Sequence, residues 1–310
     1  MPTPHDVTIA VCTRNRPAML AEALAAIAAQ TPAEVQVLVV DSGSETNETR
    51  LVAEAAGVDY VRSVRGLSLA RNAALAASAR PIVVYTDDDC QPLEGWIESL
   101  LPHFDDDTVS AVTGRMLDHT VPLDSPYVRP ARHTAPIDGI DAGHGAIMAF
   151  RRDVLLRLGG FDDAMGAGQF LAGAEDLDIF VRLLRFDTAI VHEARCVIRH
   201  SNTRVGDEYL ALHRGYGRGL GALATKWLRR EPVLGARILW RLVGRASTRV
   251  VRNRLRGKPW RHEAALIRGI GEGMSVTWRL PVIAERFVPP WQQGGLPALF
   301  PPTPTREVTT

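Results

Sequence analysis

The stretch richest in chemistry is Ile82-Val83-Val84-Tyr85-Thr86-Asp87-Asp88-Asp89-Cys90-Gln91-Pro92, an apolar run of strand type that ends in three carboxylates. Side chains alternate along an extended backbone, so Asp87 and Asp89 are expected on one side and Asp88 on the other. Two neighbouring carboxylates repel and need a counter-charge. A hard divalent cation supplies it, and Mg²⁺ commonly combines one or two carboxylates with phosphate oxygens of a substrate. Strand ends are also where open α/β sheets bind ligands. Taken alone, these residues read equally well as a solvated acidic turn.

Other candidates stand at similar places. Thr13, Arg14 and Arg16 follow the apolar run 7–11 and precede Pro17, which suits a helix start. They make either an anion site or a polar loop. Asp41 directly follows the apolar run 35–40. It can accept hydrogen bonds from a ribose or a base, or cap the next helix. Glu175 and Asp176 open a helix behind a loop containing Gly166, Gly168 and Gly173. Acids there suit the helix dipole, and one of them could also serve a reaction. His200 ends a short strand at 197–201 and becomes a third ligand if a carboxylate-bound metal lies near.

The elements that must position these residues alternate. Strands are expected at 7–11, 35–40, 58–62 and in the opening stretch 82–92, with helices at 17–30, 46–56 and 66–79 between them, and this pattern predicts a parallel, doubly wound sheet. Arg71 and Asn72, set among Ala and Leu, are expected to face away from the core. No Gly-x-Gly-x-x-Gly follows the first strand and no Gly-Lys-Ser/Thr loop occurs, so a nucleotide would be held by other devices. A helix at 95–104 and a strand at 109–112 follow. Asp105-Asp106-Asp107, after a helix, reads as a solvated turn. Residues 117–141 carry four prolines and read as one long irregular loop. Leu177, Phe180, Leu183 and Leu184 recur at helical spacing.

The chain has 310 residues and a net charge of +1, but the charge is unevenly spread. Between Arg195 and Arg261 there are 17 Lys/Arg against three acids, which suggests an anionic partner for that part. Three scattered cysteines, Cys12, Cys90 and Cys196, exclude a disulfide framework or a zinc spacing and suit a reducing cytoplasm. Neither a basic-then-apolar leader nor an 18-residue apolar run is present in this sequence.

In order and spacing these stretches resemble glycosyltransferase family 2 over about two-thirds of the chain. Val11-Cys12-Thr13-Arg14-Asn15-Arg16-Pro17 looks like the family's first nucleotide loop, and Val39-Val40-Asp41-Ser42-Gly43-Ser44 like its base-contacting loop. Residues 66–72 look like its Ala-Arg-Asn helix, and Thr86-Asp87-Asp88-Asp89 like its metal-binding Asp-x-Asp. Met148-Ala149-Phe150-Arg151-Arg152, Gly159-Gly160-Phe161-Asp162 and residues 173–184 look like its acceptor half. Ile147 stands where many members carry Asn, and Phe186-Asp187-Thr188 replaces a commoner Ala-Gly turn; both leave the acceptor open.

The resemblance implies a GT-A (Rossmann-like) α/β fold with a mostly parallel sheet flanked by helices. It implies a catalytic domain at 1–202 (nucleotide-sugar half 7–115, acceptor half 143–202); charge and composition, not the resemblance, add a basic helical extension at 203–288 and a Pro-rich, poorly ordered tail at 289–310. The resemblance also implies inverting transfer from a nucleoside-diphosphate sugar, a UDP-sugar foremost, to an acceptor hydroxyl on a saccharide, a lipid-linked saccharide or a small molecule. Thr13, Arg14, Asp41, Arg71, Asp87 and Asp88 would hold the donor nucleotide. Asp89, Asp87 and His200 would bind Mn²⁺ or Mg²⁺. Asp176, with Glu175 second, would be the general base.

The basic part predicts a helix at 235–257 with a stripe of Arg237, Arg241, Arg245, Arg249, Arg252 and Arg256. This is a solvated face over a core contact, or a surface for anionic lipid at the inner face of a membrane. Without an aromatic stacking platform, nucleic acid is the weaker partner. Gly215-Tyr216-Gly217-Arg218-Gly219-Leu220-Gly221 allows close packing or a bend. Two competing functions remain: a nucleotidyl- or phosphotransferase using the same carboxylates, and a non-catalytic module binding nucleotide or membrane.

Overall fold

Apolar runs become strands where the periodicity places them. The computed structural model describes residues 1–119, 121–122, 130–201 and 206–288. Its strands β1 (Val7–Thr13), β2 (Gln36–Ser42), β3 (Asp59–Ser63) and β4 (Ile82–Asp87) alternate with helices α1 (Pro17–Gln30), α2 (Glu48–Ala55) and α3 (Leu67–Ala77). Strand β1 is buried along its whole length, as a strand covered on both faces must be. All four strands are parallel, in the order β3-β2-β1-β4.

Beyond β4 come β5 (Cys90–Pro92), α4 (Trp96–Leu100), β6 (Val109–Asp118), β7 (Ala131–His133), β8 (Ile147–Arg151), α5 (Arg152–Arg157), α6 (Glu175–Leu183) and β9 (Ala189–His200). The sheet continues β4-β8-β6-β9-β5, with β7 on β9. Strand β8 runs antiparallel to both neighbours, while β6 and β9 are parallel. The longest ladders are thus parallel, as expected.

The chain divides into two compact units, 1–161 with 179–201 and 162–178 with 206–288. In the first, Val7, Ile9, Val11, Leu20, Leu24, Ile27 and Trp96 share one core. Each such buried side chain contributes roughly 1.5–3 kcal/mol. The Trp96 indole N–H still finds an acceptor, donating to Thr31 Oγ1 at 3.1 Å.

Two expectations about the extent of loops and strands in this unit need correction. The stretch 117–141 is not one irregular loop: β6 runs to Asp118, and β7 and a 3₁₀ turn at Pro136–Asp141 follow, while residues 120 and 123–129 lie outside the described chain. The last strand is also longer than 197–201. Glu193 interrupts its apolar pattern, yet is buried, with its carboxylate on His103 Nε2 at 2.7 Å and accepting from Arg195 Nε at 3.0 Å. A register shift opposite Gly114/Arg115 lets the ladder absorb this polar interruption.

The second unit contains α7 (Gly206–Arg230), α8 (Pro232–Leu255), α9 (Arg261–Thr277) and a hairpin of β10 (Val282–Ile283) and β11 (Arg286–Phe287). The glycine run lies inside α7 and packs closely. A methyl group at Gly217 would strike the Leu266 carbonyl, and one at Gly221 the Ile270 carbonyl. From α9, Gly269 and Gly273 meet the Arg214 and Arg218 carbonyls in the same way. Glycine disfavours a helix by about 1 kcal/mol per residue, so local propensity hides α7. The expected tail at 289–310 lies outside the described residues.

Candidate active site

Strand register brings the first candidates to one sheet edge. Thr13 pairs with Asp41 across β1 and β2, and Cys12 with Asp87 across β1 and β4. All three strands end at the same side, so Thr13, Asp41 and the acidic triplet are neighbours in the first unit.

The triplet does not continue as extended chain. Strand β4 stops at Asp87, and Asp88 and Asp89 form a turn before β5. The alternation expected for the three carboxylates is therefore replaced. Asp88 Oδ2 accepts from Thr13 Oγ1 at 2.7 Å and Oδ1 from Arg16 Nη1 at 2.9 Å. The same Arg16 Nη1 donates to Asp89 Oδ2 at 3.2 Å. The counter-charge that the sequence demanded is thus supplied in part by the chain itself. Burial raises the Asp88 carboxyl above its ordinary value, although Thr13 and Arg16 oppose the rise. Burial disfavours the Arg16 charge, but Asp88 and Asp89 outweigh it and hold its proton more firmly.

Asp87 and Asp89 still come together, through the turn rather than the pleat. Ligand atoms of Asp87, Asp89 and Cys90 all lie within 4.8 Å of one another. Burial pushes the Cys90 thiol well above its ordinary value, so it stays protonated and leaves two carboxylates as the oxygen donors. That donor set fits a hard divalent cation such as Mn²⁺ or Mg²⁺. His200 pairs with Cys90 across β5 and β9, and its Nε2 stands 3.5 Å from Asp89 Oδ1. Ser201 fixes the turn from the same side, donating its N–H (2.9 Å) and its hydroxyl (3.0 Å) to the Asp89 carbonyl.

Asp41 is fully buried. Its Oδ1 accepts from the Ser44 N–H at 2.7 Å and its Oδ2 from the Tyr60 hydroxyl at 2.8 Å, so it shapes the loop after β2. Arg14 is partly exposed and paired with Glu45 at 3.1 Å. Arg71 and Asn72 are buried, contrary to expectation. The Arg71 guanidinium donates to the Gly145 carbonyl at 3.0 Å, lies 3.5 Å from Asp87 and covers the Phe161 ring at 5.5 Å. Asn72 Nδ2 donates to the Phe161 carbonyl at 3.0 Å, and Asn72 Oδ1 accepts the Phe161 N–H at 2.8 Å. Gly160, with φ 70°, has no room for a methyl group against that amide. The Ala-Arg-Asn helix and the Gly-Gly-Phe turn are therefore one clamp across 89 residues of chain, which neither stretch signals alone.

Glu175 and Asp176 open α6 in the second unit, Glu175 buried and Asp176 half-buried. The residue before them, Ala174, has φ 60°, which L-residues with a Cβ rarely adopt.

The family model described as glycosyl transferase family 2 matches residues 8–157. The chain is 27% identical over 244 residues to the pre-mycofactocin glycosyltransferases of two Mycobacterium tuberculosis strains. This alignment covers 73% of the chain, which spans about half (49%) of the length of those curated relatives. Among solved structures, the mannosyltransferase PcManGT from Pyrobaculum calidifontis, in complex with GDP-Man and Mn²⁺, matches with a TM-score of 0.63 at 21% identity, covering 88% of this chain and 89% of that one. GalNAc-T7 with UDP, GalNAc and Mn²⁺ matches with a TM-score of 0.52 at 14% identity, over 74% of this chain and 51% of that one. These likenesses show the fold, which is the GT-A arrangement expected.

Proposed function

From a chain whose residues 8–157 match the family model described as glycosyl transferase family 2, we infer an enzyme of that family that moves a sugar from a nucleoside-diphosphate sugar to an acceptor hydroxyl. The observation that carries this reading is the pair Asp87 and Asp89 at a strand end, with Thr13 and Asp41 on the same sheet edge. Thr13, Arg14, Asp41, Arg71 and Asp88 build the donor nucleotide pocket, with Asp41 acting through the loop it shapes. Asp87 and Asp89, with His200 beside Asp89, would hold Mn²⁺ or Mg²⁺. The chemistry supplied there by the bound cation is neutralisation of charge on the departing diphosphate.

Asp176, with Glu175 as the second candidate, takes the proton of the acceptor hydroxyl. That oxygen bonds to the anomeric carbon as the bond from this carbon to the diphosphate breaks. A single displacement of this kind inverts the anomeric configuration. Arg16 donates to both Asp88 and Asp89 and so borders this site.

The test is a calorimetric titration of nucleoside diphosphates and their sugars with Mn²⁺ and with chelator. Metal-dependent binding of one nucleotide is expected. A uridine donor is the first expectation, and a guanosine donor, such as the GDP-Man in complex with the Pyrobaculum calidifontis mannosyltransferase, is the alternative. Failure of every nucleotide to bind would remove the transferase reading.

The same proposal extends to the acceptor side, where anionic membrane is the partner of α8. Val233, Trp240, Val251 and Leu255 are exposed, Trp240 at 80% and Leu255 at 83%. Their spacing returns each to one side of the helix, with exposed Arg237 among them, exposed Arg252 along one edge and exposed Arg256 just past the helix end. Apolar side chains with arginine among and beside them suit a headgroup interface, where each basic residue adds about 1 kcal/mol. Pelleting with anionic vesicles at low salt is expected, severalfold weaker at high salt and in Trp240→Ala. Equal pelleting with neutral vesicles, or retention of α8 by RNA alone, would exclude this partner. No helix among the described residues is long and apolar enough to cross a membrane.

A further inference from the structure

Asp162 and Asp178 belong to motifs that the donor chemistry leaves unused, and both meet Lys226. Lys226 is fully buried in α7. Its Nζ donates to Asp162 Oδ2 at 2.7 Å and to Asp178 Oδ1 at 2.7 Å, with the Phe287 ring 4.9 Å away. Asp162 also accepts the N–H of Phe287 at 2.8 Å, and Arg286 donates to Asp163 at 2.6 Å. One ammonium therefore ties together the loop after Phe161, the first turn of α6 and the C-terminal part of α7, with the β10–β11 hairpin joined to them through Asp162. Burial alone would lift the Asp162 carboxyl, but Lys226 and the Phe287 N–H hold it below its ordinary value.

Such a cluster is a poor source of stability, because desolvation of the ions offsets much of their attraction. What it does supply is direction. Successive helix residues are 100° apart, so Asp176 and Asp178 point to nearly opposite sides of α6. Anchoring Asp178 inward turns Asp176 outward, which agrees with Asp178 being fully buried and Asp176 half-buried. A second contact from α7 holds the other side of the helix start. Gly219 packs so closely on the Gly173 backbone that a methyl group there would strike the Gly173 carbonyl. Gly219 and Lys226 are seven residues apart and share one face of α7. Between their two targets lies Ala174, whose left-handed backbone persists only where its surroundings over-determine it.

We propose that Lys226 is a positioning residue for the Glu175–Asp176 pair: through Asp178 it sets the rotation of the first turn of α6 and so the direction of the base. This rests on the reading of Asp176 as the proton acceptor. Misplacing a reacting group by about 1 Å can cost on the order of 10²-fold in rate.

The experiment compares Lys226→Met, Lys226→Arg, Asp178→Asn, Asp176→Asn and the double variant Asp176→Asn/Lys226→Met in the full chain. It reads kcat, acceptor KM, donor affinity by calorimetry and thermal unfolding. Lys226→Met is expected to lower kcat roughly 10–100-fold with donor affinity unchanged, and Lys226→Arg to recover part of the loss. The double variant is expected to be no slower than Asp176→Asn alone, because both act at one group. If Lys226→Met does not fold, Asp178→Asn carries the test, since Lys226 keeps Asp162 as its partner; the same loss of kcat at constant donor affinity is expected. Losses that multiply in the double variant, or a parallel loss of donor affinity, would overturn the inference while leaving Asp176 as base. Normal turnover in Asp176→Asn would instead remove the underlying reading of the base.

Discussion

Asp176→Asn is expected to reduce turnover by about 10²–10⁴-fold, the usual worth of a positioned general base, while leaving donor binding nearly intact. The substitution keeps the shape of the side chain and removes only its basicity. The Asp176 Oδ1 accepts the Leu177 N–H at 2.8 Å, which an amide oxygen can also do, so the local backbone is not disturbed. Glu175→Gln separates the two carboxylates of the pair. Glu175 is buried and Asp176 half-buried, and a base must reach an acceptor that arrives from solution. Asp176→Asn should therefore be the more damaging change in kcat at saturating donor. Should Asp176→Asn weaken the donor and leave kcat alone, the residue belongs to donor binding and not to proton transfer.

Asp89→Ala is expected to abolish the metal-dependent part of donor binding, weakening affinity on the order of tenfold or more, which is about 1.4 kcal/mol. The change removes one of the two carboxylates that a hard cation can use. It also releases Arg16 from one partner, but Asp88 keeps the guanidinium at 2.9 Å and Thr13 at 2.7 Å. The backbone at the turn stays in place, because Ser201 holds the carbonyl of residue 89 and not its side chain. Loss of binding would therefore report the missing ligand, not a collapsed loop. The check is the same calorimetric titration, run with Mn²⁺ and with chelator, beside the thermal shift that Mn²⁺ alone produces. Donor affinity that is unchanged in Mn²⁺ would remove Asp89 from the metal site.

Both predictions begin at positions that are legible locally. An apolar run that stops in carboxylates reports a strand end by itself, because burial and charge are incompatible within one covered strand. The alternating units β1 to β4 follow from the same contrast, and with them the sheet edge that carries Thr13, Asp41 and Asp87. The helix start at Glu175 is legible from its glycine-rich approach and from Leu177, Phe180 and Leu183 at helical spacing.

Tertiary structure decided what local period cannot reach. Arg16 and Asp88 are 72 residues apart, and only the parallel pairing of β1 with β4 makes one the counter-ion of the other. The turn at Asp88–Asp89 replaced simple alternation, because the Ser201 contacts and the β5–β9 pairing redirect the chain after Asp87. Arg71 and Asn72 look like surface residues by type, yet the Gly145 carbonyl and the Phe161 backbone satisfy them inside the core. Helix α7 is disfavoured by its own glycines and forms because those glycines let α9 approach backbone to backbone. Lys226, in the same helix, carries no local sign of its role. Its partners lie 48 and 64 residues away, and a buried ammonium acquires a function only from the carboxylates that the fold closes around it.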